Sequence, residues 1–265
     1  MLKRNNWKVN RALIAQQDQP AFKSLDTLMT LPMGTVTRDS ISGVSKLSLN
    51  AQYYVKRFRG RSECLKQLLG ISRFQREIRN LEYFSSKGLA TPGVVAIGEQ
   101  RVAGFLRSGV IVTAAIADSV TLEELIQSEE FYLAGQAHVR RLLEKLALAL
   151  RTLHSDGFFA RDIKTRNILV GSHHTDCTLY FFDCPSGHHP PTMLLKRCIT
   201  RDLAYLERGL RRHIRRSDLL YLYKCYLGKN RLDAQDKALA NAVLEYYSKR
   251  RMTKKRRQRE AKRRK

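Results

Sequence analysis

The sequence predicts an α+β fold in two parts. The first is β-rich with one helix; the second is mostly helical, with short strands in its middle. Three observations lead there. β-formers alternate or cluster between Gly34 and Phe58. A continuous apolar run, Gly109 to Ala117, is followed by a capping-box pattern, Thr121 with Glu124, so a strand gives way to a helix. Beyond it, apolar residues recur at helical spacing in 137–155, and helices dominate again from Leu194 to about Tyr247. The change of character near residue 117 divides the chain.

Residues 1–30 are polar and mixed, and are expected to form a leading helix or arm. GTVTRDSISGVSKLSL and QYYVKRF read as strands, with Gly43 and Asn50-Ala51 as turn candidates. SRFQREIRNLEYFSSK (72–87) places Phe74, Ile78, Leu81 and Phe84 at helical spacing, with Gly88 as C-cap. ATPGVVAIGEQ is a turn leading into a strand, and Gly109 to Ala117 a buried one. Thr121 opens a helix of roughly a dozen residues. Leu142, Leu143, Leu146, Leu150 and Leu153 mark a second, ending at His154. Short β-like pieces follow at Ile168–Val170 and Leu179–Phe182. The organisation predicted is an arm over 1–30, a first part over 31–117, a second over 118–248 and a tail over 249–265.

The 265 residues carry a net charge of +25, and 43% of them are hydrophobic. That composition suits a globular core and excludes a disordered chain. The field favours polyanionic partners: nucleic acid, an anionic membrane face or a phosphorylated glycolipid. The tail from Lys249 holds 12 Lys/Arg and one acid, so +25 less +11 leaves +14 on the body. With no apolar residues beyond Met252 and Ala261, the tail is expected to be a helix-prone or disordered arm. Held on an anionic membrane, each of its cations would contribute about 1 kcal/mol. It has no aromatics for base stacking, so nucleic acid ranks below the membrane as its partner. Five cysteines, an odd count without a CxxC, read as reduced cytoplasmic thiols. No sustained apolar region near the N-terminus suggests a signal peptide, and no stretch is long enough to span a bilayer.

The motif with most chemistry is ARDIKTRNILV. Phosphoryl transfer from ATP needs a cation on the phosphates, an acid to orient it, hard oxygens for Mg²⁺ and a base beside the acceptor hydroxyl. Asp162 and Asn167 have the D-x-x-x-x-N spacing that supplies the base and a neutral oxygen for Mg²⁺. Lys164 is placed to offset charge on the transferred group. Asp183 ends the β-like LYFFD, where a metal-binding carboxylate belongs. Upstream, Lys56 in VKRF is a phosphate-binding candidate, and Glu77 in the next helix its partner, with Glu63 and Glu82 as rivals. Singly, each residue reads as well as a surface or capping charge; order and spacing together carry the assignment. His173, His174, Asp176, Cys177, His188 and His189 match no usual zinc spacing, and His154 reads as a helix-end cap.

This order resembles the protein-kinase-like superfamily, and within it the lipopolysaccharide kinase (Kdo/WaaP) family. The residues that carry the resemblance are YYVKRF, REIRNLEYFSSKGLATPGVVAIGE, ARDIKTRNILV, FFDCP and TRDLAYLER, between about Gly34 and Leu227. The resemblance implies a two-lobed kinase-like fold. Its N-lobe has a small antiparallel sheet and one helix; its C-lobe is mostly helical. It implies ATP- and Mg²⁺-dependent phosphorylation of a heptose or Kdo hydroxyl on lipopolysaccharide inner core or a related glycolipid. That acceptor places the enzyme in the cytoplasm, peripheral to the inner face of a Gram-negative inner membrane. The resemblance also implies that Asp202 braces the catalytic loop and that Thr113, Ala115 and their neighbours to Ala117 form the adenine hinge. Three features depart from the family pattern. Ala160 stands where a His precedes Arg-Asp, Asp-Cys-Pro replaces Asp-Phe-Gly, and no G-x-G-x-x-G is present. The competing readings are an atypical Ser/Thr protein kinase, a non-catalytic pseudokinase and an anion-binding protein.

Overall fold

The computed structural model describes residues 3–38, 40, 42–59, 72–102, 105–171 and 177–263. The chain folds as two units, Met1–Tyr83 with Thr91–Ala117, and Phe84–Ala90 with Asp118–Lys265.

Among the described residues, the first unit is built on an antiparallel sheet of six strands in the order β1-β5-β6-β4-β3-β2. These are β1 (Lys3–Val9), β2 (Gly34–Arg38), β3 (Ser42–Ser48), β4 (Gln52–Arg59), β5 (Val94–Val102) and β6 (Phe105–Ala114). Successive strand residues face opposite ways, so the sheet has two apolar faces. Tyr53, Val55, Val110 and Val112 pack on one side with Phe22, Leu25 and Leu28. Phe58 and Ile111 pack on the other with Phe74 and Ile78. The latter two come from α2 (Arg73–Ser86); α1 is Leu25–Thr30. Gly109 permits this packing, since a Cβ there would fall 2.6 Å from the Phe74 ring. Gly43 lies inside β3, opposite Arg57, and not in a turn.

The described part of this segment, residues 3–30, is neither a single leading helix nor a free arm: it opens with strand β1 and closes with the short helix α1. β1 pairs with β5 from Lys3↔Val102 to Val9↔Ala96, and the segment after it covers one face of the sheet. Too few apolar residues sit here to announce a core, but their partners are specific. Trp7 donates its indole N–H to the Phe22 carbonyl at 2.8 Å and lies against Gly98. Asp18, 2% exposed, ties the segment down. Its carboxylate accepts from the Asn50 amide (3.0 Å), Asn50 Nδ2 (2.8 Å), the Ala51 amide (2.9 Å) and the Tyr53 hydroxyl (3.0 Å).

Burial pushes the Asp18 carboxyl up, but the bonds from Asn50, Ala51 and Tyr53 outweigh it and hold the group below its ordinary 3.8. A carboxylate lowered in the folded state stabilises fully above the unfolded value and loses that stabilisation as pH falls through the folded one. Asp18→Ala leaves several buried donors unpaired and is expected to cost about 3 kcal/mol. Urea unfolding checks this, and the variant should show a shallower loss of stability below pH 4 than the wild type.

The second unit carries β7 (Val120–Thr121), β8 (Ile168–Gly171) and β9 (Thr178–Phe181) as a small antiparallel sheet. Its helices are α3 (Leu122–Gln127), α4 (Glu129–Leu133), α5 (Gln136–Ser155), α6 (Thr192–Leu210), α7 (Arg216–Leu227) and α8 (Ala234–Arg263). The capping box forms: the Glu124 amide donates to Thr121 Oγ1 and the Thr121 amide to Glu124 Oε2. The helix it opens runs six residues rather than a dozen. Ser128 ends it, because its hydroxyl turns to cap α4 by accepting from the Phe131 amide. Leu142, Leu143, Leu146, Leu150 and Leu153 of α5 are fully buried on the side that packs towards α7, while Leu148 is exposed; α6 packs with α8. Phe84 adds edge-on contacts to Phe158 and Phe181. Gly88, at φ 75°, lets the chain leave α2: its amide bonds the Ser85 carbonyl, and the Leu89 amide bonds that of Phe84. The tail is helical as far as Arg263. Among the described residues, no helix is long and apolar enough to cross a membrane.

Candidate functional site

In the first unit, Lys56 shares with Phe58 the face of β4 that meets α2, since both lie at even positions. Glu77 stands one turn into α2 and takes the Lys56 ammonium on both oxygens, at 2.7 and 2.8 Å. The side chains are only 16% and 4% exposed. Of the rival acids, Glu63 lies outside the described residues, and Glu82 makes no ion pair with Lys56. A buried pair of this kind stabilises little overall, but breaking it strands a charge. Glu77→Gln is therefore expected to lower stability by about 3 kcal/mol, while Lys56→Met with Glu77→Leu lowers it by under about 1 kcal/mol. Thermal unfolding of both variants tests the contrast. Thr113 sits in the β6 ladder opposite Tyr54. The Ala115 amide donates to the Gln52 carbonyl and the Ala114 amide to that of Gly93, so neither is a free donor for a purine.

In the second unit, FFARDIKTRNILV begins where α5 ends. Phe158, Phe159 and Ile163 are buried, which pins the loop on apolar anchors and leaves Arg161, Asp162 and Lys164 towards solvent. Lys164 Nζ lies 2.5 Å from Asp162 Oδ1, with both side chains about a third exposed. The Asn167 side-chain N–H donates to the Asp162 carbonyl at 3.0 Å. A short 3-10 turn, Thr165–Asn167, leads into β8. Gly209 of α6 lets that turn sit close, for a Cβ there would meet Thr165 at 2.7 Å. Pairing of Ile168 with Phe181 sets the two strands side by side, and the Phe182 amide reaches the Asn167 carbonyl. Asp183 follows directly. Asp162, Lys164 and Asn167 are thus held together, and Asp183 stands two residues past the end of β9, the strand paired with β8. Lys56 and Glu77 form a separate pair in the first unit.

Arg161 and Asp183 adopt left-handed backbone, with φ of 69° and 58°. Asp tolerates this region; Arg does so at a cost, and such residues persist where their surroundings hold them. The holding group is Asp202 of α6, wholly buried, whose Oδ2 accepts from the Ala160 amide at 2.9 Å. His154 Nε2 stands 3.5 Å from the same oxygen, and His154 Nδ1 shares a hydrogen bond of 2.9 Å with the Tyr226 hydroxyl. Burial pushes the Asp202 carboxyl above its usual range against the pull of His154 and the loop amides. Burial also raises the Tyr226 phenol. Asp156, not His154, caps α5; His154 is a buried ring bracing Asp202. Its inward position, one helical turn beyond Leu150, was the signal for this in the sequence. The imidazole missing at Ala160 is thus supplied near Asp202 from α5. Cys184 fills the other side, with Sγ 3.4 Å from the Ala160 carbonyl.

The donor set suits a hard cation. Because the Asn167 nitrogen is spent on Asp162, its oxygen is the atom of that side chain that would face a cation. The zinc reading gains nothing: residues 173–176 lie outside the described residues, and among those described no three His, Cys, Asp or Glu gather. The backbone of His188 pairs with Phe159, and the His189 ring faces Asp156. Sequence reasoning missed Tyr205, Arg208, Arg212 and Arg250, which line a groove with Lys164. Their spread over α6, the following turn and α8 leaves no local pattern to find.

No curated protein sequence matches the chain. A solved structure described as WaaP in complex with acyl carrier protein shares its fold, with a TM-score of 0.67. The two are 19% identical over 91% of this chain and 99% of that one. The fold is accordingly the one seen in that WaaP structure: here an antiparallel-sheet N-terminal unit is followed by a mostly helical one. The model of the lipopolysaccharide kinase (Kdo/WaaP) family matches residues 34–226. The chain belongs to that family, and so is a lipopolysaccharide kinase, a phosphotransferase acting on an alcohol group.

Proposed function

We propose that the protein transfers the γ-phosphoryl group of ATP, with Mg²⁺, to a heptose or Kdo hydroxyl of lipopolysaccharide inner core or a related glycolipid. The observation that carries this reading is the loop in which Asp162, ion-paired to Lys164, also receives the Asn167 side chain on its carbonyl. Asp162 orients the acceptor hydroxyl and takes its proton. The hydroxyl oxygen bonds to the γ-phosphorus as the bond to the bridging oxygen of ADP breaks. Lys164 offsets charge on the transferring group. Asn167 and Asp183 would hold Mg²⁺, and the bound ion would neutralise phosphate charge. Lys56, steadied by Glu77, holds the α/β-phosphates, and the segment from Thr113 through Ala115 to Ala117 lies against adenine.

A glycolipid acceptor places the enzyme in the cytoplasm at an anionic membrane face, with the basic tail contributing to attachment. The solved relative was captured with acyl carrier protein. Incubation with labelled ATP and defined lipopolysaccharide cores, followed by mass analysis, tests the reading. One added phosphate on a core sugar, dependent on Mg²⁺, is the expected product. ATP hydrolysis with no phosphorylated core would overturn the acceptor assignment.

A further inference from the structure

A groove of about 1050 Å³ opens in the second unit beside Lys164. Lys164, Arg166, Arg208, Arg211, Arg212 and Arg250 line it, against a single lining carboxylate, Glu123. Glu207 holds Arg211 through two bonds of 2.6 and 2.8 Å. Among the described residues, none of Arg166, Arg208, Arg212 and Arg250 lies within ion-pair distance of a carboxylate. Tyr205 connects the parts. Its hydroxyl accepts from Arg250 Nη1 at 3.0 Å, and its ring lies under Lys164 at 5.6 Å and Arg201 at 5.4 Å. Burial raises the Tyr205 phenol, but Arg250 and Arg201 outweigh that and hold it below its ordinary value.

Cations gathered without counter-charge repel one another, and an arrangement of this kind is stabilised by a bound anion. Guanidinium forks match phosphate oxygens in pairs, which a flat charged surface does not exploit. The volume stands at the upper limit for small-ligand pockets, about 300–1,000 Å³, and suits a few sugar rings. A phosphomonoester, with up to two charges on one group, matches the cation surplus better than a single carboxylate. Lys164 belongs both to this groove and to the Asp162 pair, so an anion here sits next to the proposed point of transfer.

We infer that the groove is an acceptor subsite for a phosphomonoester already present on the saccharide, which orients the neighbouring hydroxyl towards Asp162. This rests on the reading of Asp162 as the catalytic base. The kinase would then act after an enzyme that phosphorylates another position of the same saccharide.

The test is calorimetric binding to the full chain, without nucleotide and at fixed salt. The probes are a deacylated, phosphorylated inner-core oligosaccharide, the same oligosaccharide stripped of phosphate, inorganic phosphate, and phosphatidylglycerol vesicles. The phosphorylated oligosaccharide is expected to bind on the order of tenfold tighter than the stripped one, with inorganic phosphate competing. Arg166→Gln with Arg212→Gln should abolish the difference, and Arg212→Lys should reduce it by keeping the charge without the fork. Both arginines are exposed, so thermal unfolding should hardly change. Equal binding of the two oligosaccharides, or a preference that survives the double variant, overturns the inference. So does a variant that loses vesicle binding alone, which would assign the groove to lipid headgroups. No phosphoryl transfer occurs in this experiment, so its failure leaves the kinase reading intact, and inactivity towards a core that binds would leave the subsite intact.

Discussion

Asp162→Asn is expected to lower phosphoryl transfer by about a hundred- to ten-thousandfold, the range a positioned general base contributes. The substitution keeps the shape and the backbone bonds of the loop. The Asn167 side chain binds the Asp162 carbonyl, not its carboxylate, and so stays in place. What changes is the atom that accepts the proton and the ion pair to Lys164. That pair is about a third exposed on both sides, so its loss should move stability by under about 1 kcal/mol. Activity and stability therefore separate. The fall should appear in kcat with KM for ATP little changed, because Asp162 is assigned to the acceptor and not to the nucleotide. Asp183→Ala should also inactivate, but with an altered dependence on Mg²⁺ concentration, since it removes a ligand. Steady-state kinetics against ATP and Mg²⁺ distinguish the two. An Asp162→Asn enzyme that turns over like the wild type sinks the mechanism.

Much of the fold was legible because its signals are local. The leucines of α5, the capping box at Thr121 and the Gly88 terminus each follow from the spacing of a few neighbouring residues. The ordered motifs likewise placed Lys56, Glu77, Asp162, Asn167 and Asp183 on the elements they occupy. What stayed hidden depends on contacts far apart in the chain. β1 has no companion strand nearby, and its partner β5 lies some 90 residues on. Asp18 looks like a surface acid until the Asn50–Ala51 turn arrives over it. Ser128 reads as one more helix residue unless its own hydroxyl is known to cap the next helix. The basic groove draws on four separate segments and has no periodicity to betray it. From the sequence His154 reads as a helix-end cap, because its two partners, Asp202 and Tyr226, come 48 and 72 residues later.

Asp202 is the residue through which that hidden layer reaches the chemistry, and Asp202→Ala is expected to cost about 3 kcal/mol. The substitution strands the Ala160 amide and the inner edge of His154 in a wholly buried space. It also frees the backbone at Arg161, whose left-handed conformation has no local cause. The next residue is Asp162, so turnover should fall together with stability, unlike in Asp162→Asn. Asp202→Asn separates bracing from charge, because its amide oxygen can still accept from Ala160. It should recover much of the lost stability and activity. The sign of its pH dependence follows from burial. The folded carboxyl lies above its unfolded 3.8, so the neutral form is favoured in the folded state. The wild type is then most stabilised by this group below its unfolded pKa and loses that advantage as pH rises through the folded value. Asp202→Asn, uncharged throughout, should therefore compare best with the wild type at the high end of a stability–pH profile and worst at the low end. The opposite trend would mean that the His154 contact, and not burial, governs the carboxylate. The loop would then be held by an ion pair in place of a hydrogen-bonded brace.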